Sequence, residues 1–158
     1  MVQPASFHPL PSMDPSASEA QTLAERVRDR MFSTDATAHA LGIRITSISP
    51  GHAGAVMTVR ADMLNGFGVC QGGLISTLAD TAFAYACNSY NELTVASGFD
   101  VDLLAPARLG DLLTARAGVV SQASRTGVYD VDVHNQSGER VAVFRGRSYR
   151  IKGKPVVD

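Results

Sequence analysis

Apolar and polar positions along the chain change period repeatedly, and each change marks an element. Residues 1–18 are rich in Pro, Ser and Ala without a sustained period, which predicts a flexible leader. Ser18 and Gln21 then have capping-box spacing, and Leu23, Ala24, Val27 and Met31 share one side of a helix running to about Phe32, with Arg26, Arg28 and Arg30 toward water. From Leu41 the period becomes two. Leu41, Ile43 and Ile45 alternate with Gly42, Arg44 and Thr46; after a Pro50-Gly51 turn, Ala55, Met57 and Val59 alternate in the same way, predicting a β-hairpin. Leu74, Ile75, Leu78, Ala79, Ala82, Phe83 and Ala86 return to three- and four-residue spacing, so one long apolar helix is expected over about 72–90.

Four strand-like runs follow, Val95 to Leu104, Leu112 to Val120, Tyr129 to His134 and Arg140 to Ile151, separated by turn residues. Short turns favour an antiparallel meander. The expected class is α+β, with an antiparallel sheet wrapped around one central helix in a single domain over 19–152, followed by a tail at 153–158. Such a sheet leaves an open edge, which predicts pairing with at least one further copy of the chain.

Composition narrows the function. An apolar content of 45% against 18% charged residues supports a real core, and a net charge of −1 gives no electrostatic case for nucleic acid or an anionic membrane as partner. No run of 18 apolar residues and no basic segment leading into an apolar signal core occurs, which predicts a cytoplasmic location. Cys70 and Cys87 fit neither a redox motif nor a zinc framework and read as packed, reduced thiols; His8, His39, His52 and His134 are scattered. No metal is expected.

The chemistry concentrates in Asn65 to Ser89. Gly72-Gly73 stands where loop becomes helix, and the first N–H groups of a helix lack partners and attract an oxyanion or a carbonyl oxygen. Asp80 lies two turns on. At about 100° per residue it shares a stripe with Gly73, Thr77, Ala84 and Cys87, opposite the bulky residues. Asp is a poor helix-interior residue, and its neighbours here are apolar. Other readings of the loop fail on spacing: Gly66, Gly68 and Gly72 miss the dinucleotide fingerprint, and neither a phosphate-loop lysine nor a G-x-S-x-G nucleophile is present.

Asn65-Gly66, Gly72-Gly73, Leu78 to Ser89 (LADTAFAYACNS), Thr126 to Asp130 (TGVYD) and Phe144 to Arg150 (FRGRSYR) together resemble the hotdog-fold acyl-CoA thioesterases, most closely the phenylacetate-degradation thioesterase family. The likeness covers about residues 20 to 152. It implies hydrolysis of an acyl-CoA, such as phenylacetyl-CoA or a hydroxylated derivative, at a dimer interface, with coenzyme A as part of the substrate and no separate cofactor. It further implies a backbone N–H at Gly72 that polarises the thioester carbonyl, an acid at Asp80 contributed by the other subunit as nucleophile or general base, and an amide at Asn65 that places acid, water or substrate. Substrate-binding positions would be Gln71, Gly73, Thr77 and Ser97, with Arg125, Arg145 and Arg147 near the phosphates and Leu74, Thr77 and Ala84 along the acyl group; a dimer of dimers is the expected assembly. Gln71 departs from the His that the family usually carries there, yet the donor belongs to the glycine. A hydratase or dehydratase of the same fold would need an acid–base pair commonly including His, and the central stretch has none. A non-enzymatic acyl-CoA-binding protein is the remaining alternative.

Overall fold

The computed structural model describes residues 15–158. Helix α1 (Pro15–Phe32) starts ahead of the predicted cap, so Ser18 lies within it and its carbonyl accepts from Thr22 Oγ1 at 3.0 Å. Most of the predicted leader falls outside the described residues. Ala24 and Val27 are buried on the side of α1 that meets the sheet.

A second helix, α2 (Ala36–Leu41), occupies the start of the segment expected to be strand. Leu41 therefore ends a helix instead of opening the hairpin. Its signals were present but short: the Asp35 side chain accepts from Ala38 N at 3.0 Å as N-cap, and Gly42 closes the C-terminus at φ 67°. Tyr85 donates to Asp35 Oδ2 at 3.1 Å, tying this turn to the central helix.

The remaining elements fall where the periodicity places them: β1 (Arg44–Ser49), β2 (His52–Thr58), α3 (Gly72–Asn88), β3 (Thr94–Leu103), β4 (Leu112–Gln122), β5 (Thr126–His134) and β6 (Arg140–Arg150). One six-stranded antiparallel sheet results, in the order β1-β2-β4-β5-β6-β3. The meander thus includes only β4, β5 and β6. Strand β3 pairs with β6 at the far edge, while β4 crosses back to β2, where Ala55 meets Ala115 and Met57 meets Leu113 in a buried, size-matched register.

Helix α3 lies mainly over β2, β4 and β5. Its bulky stripe, Ile75, Leu78, Ala79, Ala82, Phe83 and Ala86, is buried in one core with Met57, Leu113, Tyr129, Val131 and Val133. Phe83 packs edge-on to Tyr129, with centroids 5.6 Å apart, and tilted to Phe144 at 5.8 Å. The ring fits because position 146 has no side chain: a Cβ on Gly146 would stand 2.8–2.9 Å from three Phe83 ring atoms. Gly146→Ala is accordingly expected to destabilise by about 1–3 kcal/mol, the usual cost of overpacking a core, read as a lower Tm without change of fold.

The two sheet edges differ. Helix α1 packs along β1, and Gln21 Nε2 donates to Ile48 O at 2.8 Å. Strand β3 has a neighbour on one side only, and Val95, Phe99 and Leu103 along it are exposed. At the other end, Asn91, in the left-handed region at φ 60°, accepts from Val156 N and Val157 N and donates to Val157 O, pinning the chain's last residues against the turn after α3.

Candidate active site

The loop before α3 is held by its own polar groups. Asn65 Oδ1 accepts from Phe67 N at 2.9 Å and Val69 N at 3.4 Å, Asn65 N donates to Val69 O at 2.8 Å, and Gly68 turns the chain at φ 75°. Cys70 N then donates to Ala107 O and Gln71 N to Met63 O, both at 2.8 Å, which sets where the helix starts. Asn65 Nδ2 meets no acceptor among the described residues, so one end of the carboxamide builds the loop and the other stays available.

Helix α3 begins at Gly72 with Gln71 as its cap residue, and the Gln71 side chain makes no capping bond. The N–H groups of Gly72 and Gly73 meet no acceptor among the described residues, leaving the positive end of the helix open. Space in front of Gly73 is empty, whereas a Cβ at Gly72 would collide with Leu103 Cδ1. Leu103, at the end of β3, thus leans over the first residue of the helix. Sequence reasoning did not single it out, because the contact joins segments far apart in the chain.

Asp80 is half-buried on the small face of α3, and its carboxylate has no hydrogen bond or ion pair among the described residues. Burial alone pushes its pKa above the ordinary carboxylate value. Thr77 and Ala84 on the same stripe are half-buried and Gly73 is exposed, while Cys87 is buried. Thr77 Oγ1 donates to Gly73 O at 2.8 Å. A charged group left without a partner in a half-dry setting costs stability, and such positions concentrate at functional sites.

A cleft of about 290 Å³ adjoins the helix start, lined by Asn65, Val69, Gly72, Leu103, Leu104 and Pro106 among others. Among the described residues no group of three or more His, Cys, Asp or Glu is placed to hold a metal ion. The site's resources are therefore an open pair of N–H donors, one carboxamide and one unpaired carboxylate.

Comparison with known proteins agrees with this chemistry. The family model described as Thioesterase superfamily matches residues 67–142. The acyl-coenzyme A thioesterase PaaI of Escherichia coli K12 is 53% identical over 123 residues, 78% of this chain and 88% of that protein. The chain belongs to the thioesterase superfamily. A structure of the E. coli PaaI protein from the phenylacetic acid degradation operon superimposes on this thioesterase with TM-score 0.84 and 49% identity, covering 85% of this chain and 98% of that one. The smu.793 protein of Streptococcus mutans, solved bound to acetyl CoA, is 27% identical with TM-score 0.68 over 71% of this chain and 90% of its own. The fold is the hotdog fold, and the enzyme is an acyl-CoA thioesterase.

The other sequence-predicted positions of the thioesterase spread over the sheet. Ser97 sits at a bulge in β3, where Oγ donates to Arg147 O at 3.1 Å. Arg145 makes a bidentate pair with Asp130 at 2.6 Å, and Arg147 pairs with Asp100 at 2.5 Å. Both lie on the exposed sheet face and are already engaged. Arg125 donates to Tyr149 OH at 3.1 Å and shares a cleft of about 190 Å³ with Ser124, Glu92, Arg150 and Lys152. In that cleft Arg150 pairs with Glu92 at 2.9 Å. Lys152 was not singled out from the sequence, because an isolated lysine after a strand carries no signal.

Proposed function

We propose that this thioesterase hydrolyses the coenzyme A ester of an arylacetic acid, phenylacetyl-CoA or a hydroxylated derivative, to the free acid and coenzyme A, at a site shared by two copies of the chain. The observation that carries this reading is that one helix bears both an open N–H donor at Gly72 and an unpaired acid at Asp80, eight residues and about 12 Å apart along the axis. One carbonyl group cannot touch both. Two antiparallel copies joined at the open β3 edges bring Gly72 of each beside Asp80 of the other, and also cover Phe99. A dimer of two such dimers is the full assembly, and the free thiols of Cys70 and Cys87 suit the cytoplasm.

In this arrangement the carbonyl oxygen accepts from Gly72 N–H, and the carboxylate of Asp80 either adds to the carbonyl carbon or removes a proton from a water that adds. The C=O electron pair moves onto oxygen, where the helix N-terminus stabilises it, and collapse breaks the C–S bond and expels the thiolate. In the covalent route, water then opens the mixed anhydride. Either way, one water is consumed and acid and thiol are released. Asn65 Nδ2 orients the acid, the water or the substrate. Gln71, Gly73, Thr77 and Ser97 contact the substrate, and Leu74, Thr77 and Ala84 line the acyl group.

The acetyl CoA complex of the S. mutans relative supports coenzyme A esters as the class, and the operon of the E. coli relative supports the aryl acid. Arg125, with no carboxylate partner among the described residues, is the better phosphate contact, together with Lys152; Arg145 and Arg147 would first have to leave Asp130 and Asp100. Thiol release from a panel of phenylacetyl-, hydroxyphenylacetyl-, acetyl- and hexanoyl-CoA tests the reading. The aryl esters should give the highest kcat/KM; a clear preference for the straight chains would overturn the aryl assignment.

A further inference from the structure

Phe67 is 93% exposed, more than any other large apolar side chain of the described fold. Its setting is not that of a slack loop. The turn that carries it is closed by the Asn65 side chain and backbone, and the isolated bridge between Leu64 and Cys70 closes it again one step below. At Gly66 and Gly68, on either side of Phe67, a Cβ would meet only open space, so the described residues crowd neither flank of the turn. The two legs of this turn, Asn65 and Val69, line the cleft beside Gly72 together with Leu103, Leu104 and Pro106. A fixed turn therefore carries an exposed aromatic ring between two residues, Asn65 and Val69, that line an apolar cleft reaching Gly72.

The cleft also lies on a particular side of the helix. At about 100° per residue, Gly72 and Ile75, which line it, are turned away from the stripe of Gly73, Thr77 and Asp80 that faces the acyl group and the partner. A thioester whose carbonyl is held at Gly72 has two arms. The acyl arm runs along the small faces between the copies, which leaves the thiol arm for this cleft. In coenzyme A that arm is pantetheine, a narrow chain with two amides and, beyond them, a carbon bearing two methyl groups.

We propose that Phe67 is a positioning residue for the pantetheine arm, its ring packing against the methyl-bearing segment as the arm leaves the cleft. The inference rests on the thioesterase reading above. Its test compares Phe67→Ala with wild type on three phenylacetyl thioesters: that of N-acetylcysteamine, which stops after the first amide, that of pantetheine, and that of coenzyme A. The variant should raise KM about tenfold for the pantetheine and coenzyme A esters, the scale of losing part of an aromatic burial, with kcat unchanged and the N-acetylcysteamine ester unaffected. Phe67→Leu should recover part of the loss.

Equal behaviour of variant and wild type on all three esters would overturn the proposal, as would a loss on the coenzyme A ester alone, which would place the ring at the nucleotide. A loss on all three would assign Phe67 to the acyl side or, if size-exclusion chromatography shows a smaller particle, to the contact between copies. If wild type turns over none of the three, the functional reading itself fails, which is a different result from any of these.

Discussion

Asp80→Asn is expected to lower kcat for arylacetyl-CoA hydrolysis by about 10²–10⁴-fold, the range lost when a positioned acid or base is removed, while the folded assembly remains intact. Asn keeps the size and polarity of the side chain but can neither add to the carbonyl as a carboxylate nor accept a proton from water. The same substitution should leave Tm at neutral pH unchanged or raised. Burial raises the pKa of Asp80 in the folded chain above its unfolded value, so the folded state holds that proton more tightly. The stabilising contribution is complete below the unfolded carboxylate pKa and is lost as pH rises through the raised folded value; at neutral pH the ionised group is a cost that Asn removes. The Tm difference between the two proteins should therefore shrink as pH falls toward 4 and below. Activity runs the opposite way. It needs the ionised form, so the acid limb of kcat/KM should fall at a pH above the ordinary carboxylate range near 3.9. Thiol release from pH 3.5 to 9, with melting curves on the same samples, checks both; full activity in Asp80→Asn would remove the acid from the mechanism.

Gly72→Pro in a Leu103→Ala background should cost about 10²–10³ in kcat, the effect of deleting one oxyanion donor. Proline is suited to this experiment because it removes the N–H while keeping the backbone conformation of a first helical residue. Gly72 is the first residue of α3, where proline is tolerated, and Gln71 before it already sits at φ −58° and ψ 127°, the extended conformation a following proline demands. The companion change makes room, since any Cβ at 72 meets Leu103. Gly72→Ala with Leu103→Ala keeps the N–H and serves as the control. The comparison that decides is kcat between the proline and alanine versions; equal rates would show that the donor at Gly72 is dispensable.

Both expectations rest on positions that stand out before any folding is considered. Gly72-Gly73 ahead of an apolar helical repeat, and a single Asp set among alanines on its small face, mark a candidate donor and a candidate acid by spacing and residue type, and the family resemblance supplies the roles expected of them. Strand β5 was equally legible, because a half-buried strand alternates, and its burial does so from Thr126 to His134. Helix α2 escaped because six residues, three of them alanine, carry almost no period, and only Asp35 and Gly42 mark its ends. Arg145 and Arg147 were expected near the phosphates on charge alone, because sequence shows charge but not partners; Asp130 stands opposite Arg145 in the register of β5 with β6, and Asp100, on the same face of β3 two residues from the position opposite Arg147, reaches it diagonally.

By itself, then, the sequence determined the element types apart from α2, the central helix with its bulky and small faces, and the candidates for donor and acid, since these follow from local periodicity and from the chemistry of single residues. The tertiary structure decided what depends on long-range neighbours. It sent β3 past β6 to an open edge, leaned Leu103 over Gly72, left Asp80 half-buried without a partner among the described residues, left Phe67 exposed on its turn, and engaged two of the three predicted arginines. Desolvation, collision and ion pairing are set by atoms distant in the chain, and no window of sequence contains them.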